Sequence, residues 1–262
     1  MVTNGMYSMR WISQLVIVAI IGASACGAEA PNETTPDASP TETTTAFSPS
    51  VVTDADIPSD IHRDSWGRLP LPDRSALDAD GQRAFDVIVH PDSRYASGPR
   101  GPVAMWLYSP LMAEHIFPAS TYLRFGTDKD QRLTELAILV TAREVQSQYE
   151  WSAHEPLALA AGLEPEVVEL VKHRRSLDGT VPGLGERERV IIQFAREVIS
   201  EAQVGADTFV LARQQFGDRG VMDLTGLIGY YNFVNLTLKA FNVQLASGRT
   251  RLLPNFWSAN SQ

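Results

Sequence analysis

Leu133 to Leu163 reads LTELAILVTAREVQSQYEWSAHEPLALAAGL, the densest run of chemically capable side chains in the chain. Leu136, Leu139, Val140 and Arg143 recur at three- and four-residue spacing, and Ser147, Glu150 and His154 repeat the pattern after them. At about 3.6 residues per turn each set lies on one helix face. Glu150 and His154 stand four apart, so a carboxylate and an imidazole are neighbours across one turn. Glu135 precedes His154 by nineteen residues and meets it only if the chain folds back. A glutamate so early in a helix also has a plainer reading, as an acid favoured by the helix dipole. Among apolar neighbours it is expected to be partly buried with a raised pKa. His154, for its part, can be a buried structural histidine rather than a proton carrier.

The surrounding sequence continues the helical pattern. Asp78 or Asp80 caps a helix to about Val89, and Ser97 to Pro102 form a rigid glycine–proline loop. Pro110 starts a helix ending near Gly126, and Asp128 or Asp130 caps the one that carries Glu135 and Arg143. The next holds Glu150 and His154 and stops at Gly162; Pro165 opens a short one. Amphipathic helices follow from Glu186 and from Asp207, the second ended by Gly217. The last, about Val221 to Leu245, is apolar almost all round and is expected to be buried against the domain or a second subunit. No stretch alternates with period two, so the domain reads as all-α. A faint echo runs through it. Ala142-Arg-Glu-Val145 returns as Ala195-Arg-Glu-Val198, and at the same offset Glu135 meets Glu188, Ser147 meets Ser200 and His154 meets Asp207. Chance and a duplicated helical unit both account for it.

The 262 residues are 44% hydrophobic, enough for a sizeable core, and carry a formal charge of -9. Setting aside Arg10 and the seven acids of residues 27–60 leaves -3 on residues 61–262. No basic stripe is present, which argues against a nucleic-acid partner. Cys26 is the only cysteine, so no dithiol pair is possible. It follows an apolar run, Trp11 to Ile21, and the small residues Gly22 to Ala25. Residues 1–26 therefore read as an export signal of the lipoprotein type, with Cys26 as the lipidation site and the envelope membrane as a partner; plain signal cleavage or an uncleaved anchor is the blander alternative. Residues 27–60, rich in Pro, Thr, Ser and acid, read as a disordered linker to a helical domain at 61–262.

Glu135, the YEWxxH run from Tyr149 to His154, Ala160 and Gly162-Leu163 together resemble the carboxymuconolactone decarboxylase superfamily, which includes alkyl hydroperoxidase D. The hydroperoxidase branch carries a glutamate, two cysteines and a histidine at set spacing. Here Glu135 and His154 take the outer positions, and Ser147 and Glu150 replace the cysteines. The resemblance implies an alkyl hydroperoxidase D-like helical domain forming a homo-trimer or homo-hexamer. It also implies a cofactor-free acid–base lyase acting on a small carboxylic acid or lactone. Glu135, His154 and Glu150 are then the catalytic candidates. Arg143 is a candidate clamp for a substrate carboxylate, or a partner of Glu144 or Glu150. Ser147, Tyr149, Trp151 and Asn232 are candidates for substrate binding, with packing as the plainer role of Tyr149 and Trp151. A three-ligand metal site from Glu135, Glu150 and His154 is the weaker alternative, and no metal or cofactor is expected. A peroxidase lacks its thiols here, and a non-catalytic envelope binding or scaffold protein is the remaining reading.

Overall fold

The computed structural model describes residues 47–254. The expected export segment with Cys26, and the expected linker up to residue 46, lie outside the described residues. Helix α1 (Ala79–Ile88) is capped by the Asp78 side chain, which accepts from the Gly81 amide at 2.8 Å. Helices α2 (Pro102–Trp106) and α3 (Pro110–Thr121) each open on proline, whose fixed φ suits a first turn and whose missing N–H costs nothing there. A π-helical turn, Tyr122–Gly126, extends α3. Helix α4 (Gln131–Glu144) is capped by Asp130, which accepts from the Leu133 amide at 2.8 Å. After a short loop, α5 (Gln148–Ala160) is capped by Ser147 and closed at Gly162, where φ is +89°. Helices α6 (Pro165–Lys172), α7 (Glu186–Ser200) and α8 (Ala206–Ala240) complete the set. Gly217, at φ 66° and ψ 174°, breaks α8 into two segments where the sequence placed a helix end.

The core is built around α4. Every residue from Leu133 to Arg143 is buried, because α5, α6, α7 and α8 pack around it. Leu136, Ile138, Leu139 and Val140 are wholly enclosed, and each such side chain stabilises the fold by roughly 1.5–3 kcal/mol. The C-terminal segment of α8 buries one face only. Leu224, Leu227, Tyr231 and Val234 point inward, while Met222 and Leu236 are exposed on the single chain, so burial on every side belongs to α4 instead.

Ordered structure begins ahead of the expected linker boundary. Strand β1 (Ser50–Val51) pairs antiparallel with β2 (Thr250–Arg251), and Val52 is buried. Residues 50–60, polar enough to read as linker, are held by this ladder and by Arg63 and Arg68 on Asp54 and Asp60. Composition missed this because the partner strand lies two hundred residues away. No helix among the described residues is long and apolar enough to cross a membrane.

Candidate functional site

The return from α4 into α5 places Glu135 beside His154. Glu135 Oε2 accepts from His154 Nδ1 at 2.6 Å, and Glu150 Oε2 lies 3.3 Å from Nε2 on the other side of the ring. Arg124 Nη2 donates to the remaining oxygen, Glu135 Oε1, at 2.7 Å. The π-helical turn makes this reach possible: its wider winding swings Arg124 inward, and Gln131 holds the Arg124 carbonyl at 2.5 Å. The result is a row of alternating charge, Arg124–Glu135–His154–Glu150. These residues are 7%, 2%, 6% and 4% exposed, low enough that any charge on them depends on its neighbours rather than on water.

Burial alone would raise the Glu135 pKa. The His154 hydrogen bond and charge, then Arg124, outweigh it and hold the carboxyl below its ordinary 4.5. The expected rise is thus reversed, because Glu135 is buried against two cations rather than among hydrocarbon alone. Burial likewise disfavours charge on His154, but the hydrogen bonds from its ring to Glu135 and Glu150 win and raise its pKa above 6.5. The imidazole thus lies between two carboxyl groups, with its charged form favoured. Its ring nitrogens face opposite partners, and no three such side chains among the described residues converge as metal ligands do.

His154, Glu150 and Arg124 border a cavity of about 540 Å³; Glu135 stands behind His154 and does not reach it. Tyr231, buried on α8, also borders it, its ring edge-on to the imidazole at 5.2 Å and 90°. Burial pushes the Tyr231 phenol up, so it stays protonated and can donate at neutral pH. Trp66, Trp106 and Val234 add apolar wall, and Arg94, Arg100 and Arg249 stand exposed around the opening.

The other sequence candidates divide. Tyr149 borders this cavity and also a second cleft, of about 830 Å³, to which Ser147 and Asn232 belong. Ser147 caps α5, accepting from the Glu150 amide at 3.4 Å. Trp151 is fully buried and its indole donates to Glu155. Arg143 does not border the first cavity; its Nε donates to the Lys172 carbonyl at 2.7 Å. Eight residues along a helix from Glu135 is about 12 Å of rise, so Arg143 emerges two turns away. Arg124, Tyr231 and the three rim arginines were not singled out from sequence. Only the glycine–proline loop around Arg100 signalled any of them.

No family model and no curated protein matches the chain. A solved structure does: a protein from Ralstonia eutropha JMP134 described as an alkylhydroperoxidase AhpD core, an uncharacterized peroxidase-related protein. It is 20% identical over 68% of this chain and 91% of that one, with a TM-score of 0.52. The helical arrangement around α4 is thereby the alkylhydroperoxidase AhpD-like fold, and it is similar in fold to that protein.

Proposed function

We propose that this chain is an acid–base lyase that acts on a small carboxylate or lactone in the Arg124–His154 cavity. The observation that carries the reading is the imidazole of His154, flanked by Glu135 and Glu150 and facing a cavity bordered by arginines. Glu135 fixes the ring and keeps it charged, a positioning role. His154 is the proton donor, with Glu150 beside Nε2 as the group that passes or receives the proton at the cavity wall. Arg124 and the Tyr231 hydroxyl are placed to hold an oxyanion. In a decarboxylation the carbon–carbon bond to the carboxylate breaks, carbon dioxide leaves, and the electron pair remains as an enolate. His154 then delivers a proton to that carbon and is recharged from solvent. A thiol peroxidase is disfavoured because Ser147 caps a helix and Glu150 faces His154, where that chemistry needs two sulfurs.

The test is to incubate the chain with small carboxylic acids and lactones in deuterated water and follow the products by mass spectrometry. Release of carbon dioxide with one deuteron incorporated, abolished by His154→Ala, supports the reading. Substrate turnover that survives His154→Ala, or no turnover of any acid or lactone, overturns it.

A further inference from the structure

The acid–base site accounts for the floor of the cavity and leaves its mouth unexplained. Elsewhere many exposed arginines sit against carboxylates, Arg63 on Asp54, Arg68 on Asp60, Arg74 on Asp86 and Arg213 on Asp218, although Arg175 and Arg187 do not, and those two border no shared cavity with each other. Arg94, Arg100 and Arg249 border the cavity, and none has a carboxylate within ion-pair distance among the described residues. Asp64, the other acid on the lining, is occupied: its two oxygens accept from the Ser65 and Leu71 amides. Three unmatched cations thus gather at one opening, on a domain whose net charge is negative.

Two of the cations are also held in place, and the third is anchored at its backbone. The Arg94 and Arg100 guanidinium carbons lie 5.1 and 4.9 Å from the centre of the Tyr95 ring, and Arg100 Nη2 donates to the Arg94 carbonyl at 2.9 Å. The loop that carries Arg100 turns at Gly101, where φ is +59° and a Cβ would come 2.4 Å from the Tyr149 hydroxyl. Arg249 is fixed through its backbone, whose carbonyl accepts from Val52 at 2.8 Å. The Tyr149 hydroxyl makes no hydrogen bond to the protein among the described residues, and Tyr149 borders the cavity.

We propose that this mouth is a phosphoryl-binding subsite, in which Arg94, Arg100, Arg249 and the Tyr149 hydroxyl take the dianionic end of a phosphate monoester. One carboxylate carries a single charge on two oxygens, too little to balance three guanidinium groups. A phosphate monoester brings nearly two charges and three strong acceptors, which suits donors arriving from separate directions. Trp66, Trp106 and Val234 then enclose a small apolar body between the phosphate and the floor. The substrate of the acid–base reading becomes a phosphorylated one. The inference rests on that reading for what happens at His154, and not for what binds at the mouth.

Binding of inorganic phosphate to the 262-residue chain, measured by titration calorimetry at about pH 8 where the dianion prevails, tests it. Arg100→Gln and Arg249→Gln, both at exposed positions, should each weaken phosphate binding by about tenfold, and the double variant should abolish it. His154→Ala should keep it. No phosphate binding, equal binding in the double variant, or tighter binding of succinate through the same arginines would overturn the proposal. Because no turnover is read, its failure leaves the acid–base site standing, and an inactive His154 leaves the phosphate site standing.

Discussion

Glu135 and Glu188 occupy matched positions in α4 and α7, and both are buried. Glu135 meets Arg124 and His154 and thereby holds the imidazole at a cavity wall. Among the described residues Glu188 pairs with Arg132 alone, at 2.6 Å, and Arg132 also grips Glu164 at 2.5 Å and the Gly183 carbonyl at 3.0 Å. That cluster ties α4 to α7 and to the loops flanking α6. Where the first helix pair presents His154, the second presents Asp207, exposed in the first turn of α8. A buried glutamate at one helix position therefore serves as a staple or as the back of a proton donor. The helix that follows decides which.

The contrast breaks most sharply in turnover. Glu135→Gln and His154→Ala should each lower it by about 10²–10⁴-fold, the range of a lost general acid or its support. The double variant should cost little more than the worse single, because the two act as one unit. Glu188→Gln should leave turnover near wild type. Equal losses in Glu135→Gln and Glu188→Gln, in a steady-state assay, would mean that both glutamates are structural.

Stability should separate them by a smaller margin. Glu135→Leu leaves Arg124 and His154 buried without their shared partner and should destabilise by about 3–5 kcal/mol. Glu188→Leu leaves Arg132 on Glu164, and Arg132 is partly solvated, so about 1 kcal/mol is expected. Denaturant melts of the two variants give the comparison, and similar midpoints would erase it.

The pH profile sharpens the contrast further. His154 has a raised folded pKa, so its contribution is complete below pH 6.5 and is lost as pH rises through that raised value. Glu135 has a lowered folded pKa, so its contribution is complete above pH 4.5 and is lost as pH falls through the lowered value. Stability from the pair is therefore greatest between these limits. Glu135→Gln should shallow both limbs, whereas Glu188→Gln should retain the alkaline decline. Melts across pH that show the same alkaline limb in wild type and Glu135→Gln would break the argument.

Much of the helical framework was legible because local chemistry sets it. Asp78 and Asp130 cap, Pro110 and Pro165 open, and Gly162 and Gly217 stop or break helices, each through contacts within a few residues. The Glu150–His154 neighbourhood follows from helix geometry alone. The rest of the cavity is assembled at long range. Arg124 comes from an irregular turn, Tyr231 from α8 and Arg249 from beside β2, and no spacing in the sequence announces that these meet. Arg143 was the more visible arginine because it shares a helix with Glu135. Asn232 lies one residue from Tyr231, about 100° around the helix, and faces the second cleft for that reason.

The short ladder between β1 and β2 has a mechanical consequence. Val52 donates to the Arg249 carbonyl and accepts from the Gly248 amide, and Leu252 donates to Ser152 Oγ, two residues before His154. A pull along the chain at residue 50 therefore loads the segment that carries Arg249 first and reaches α5 only through it. Two residue pairs and the Val52 bonds beside them make up the ladder, so few hydrogen bonds resist such a pull. Tension applied there would slacken the rim of the cavity before it reached the buried row of charge, which makes the ladder a fuse between residue 50 and the opening.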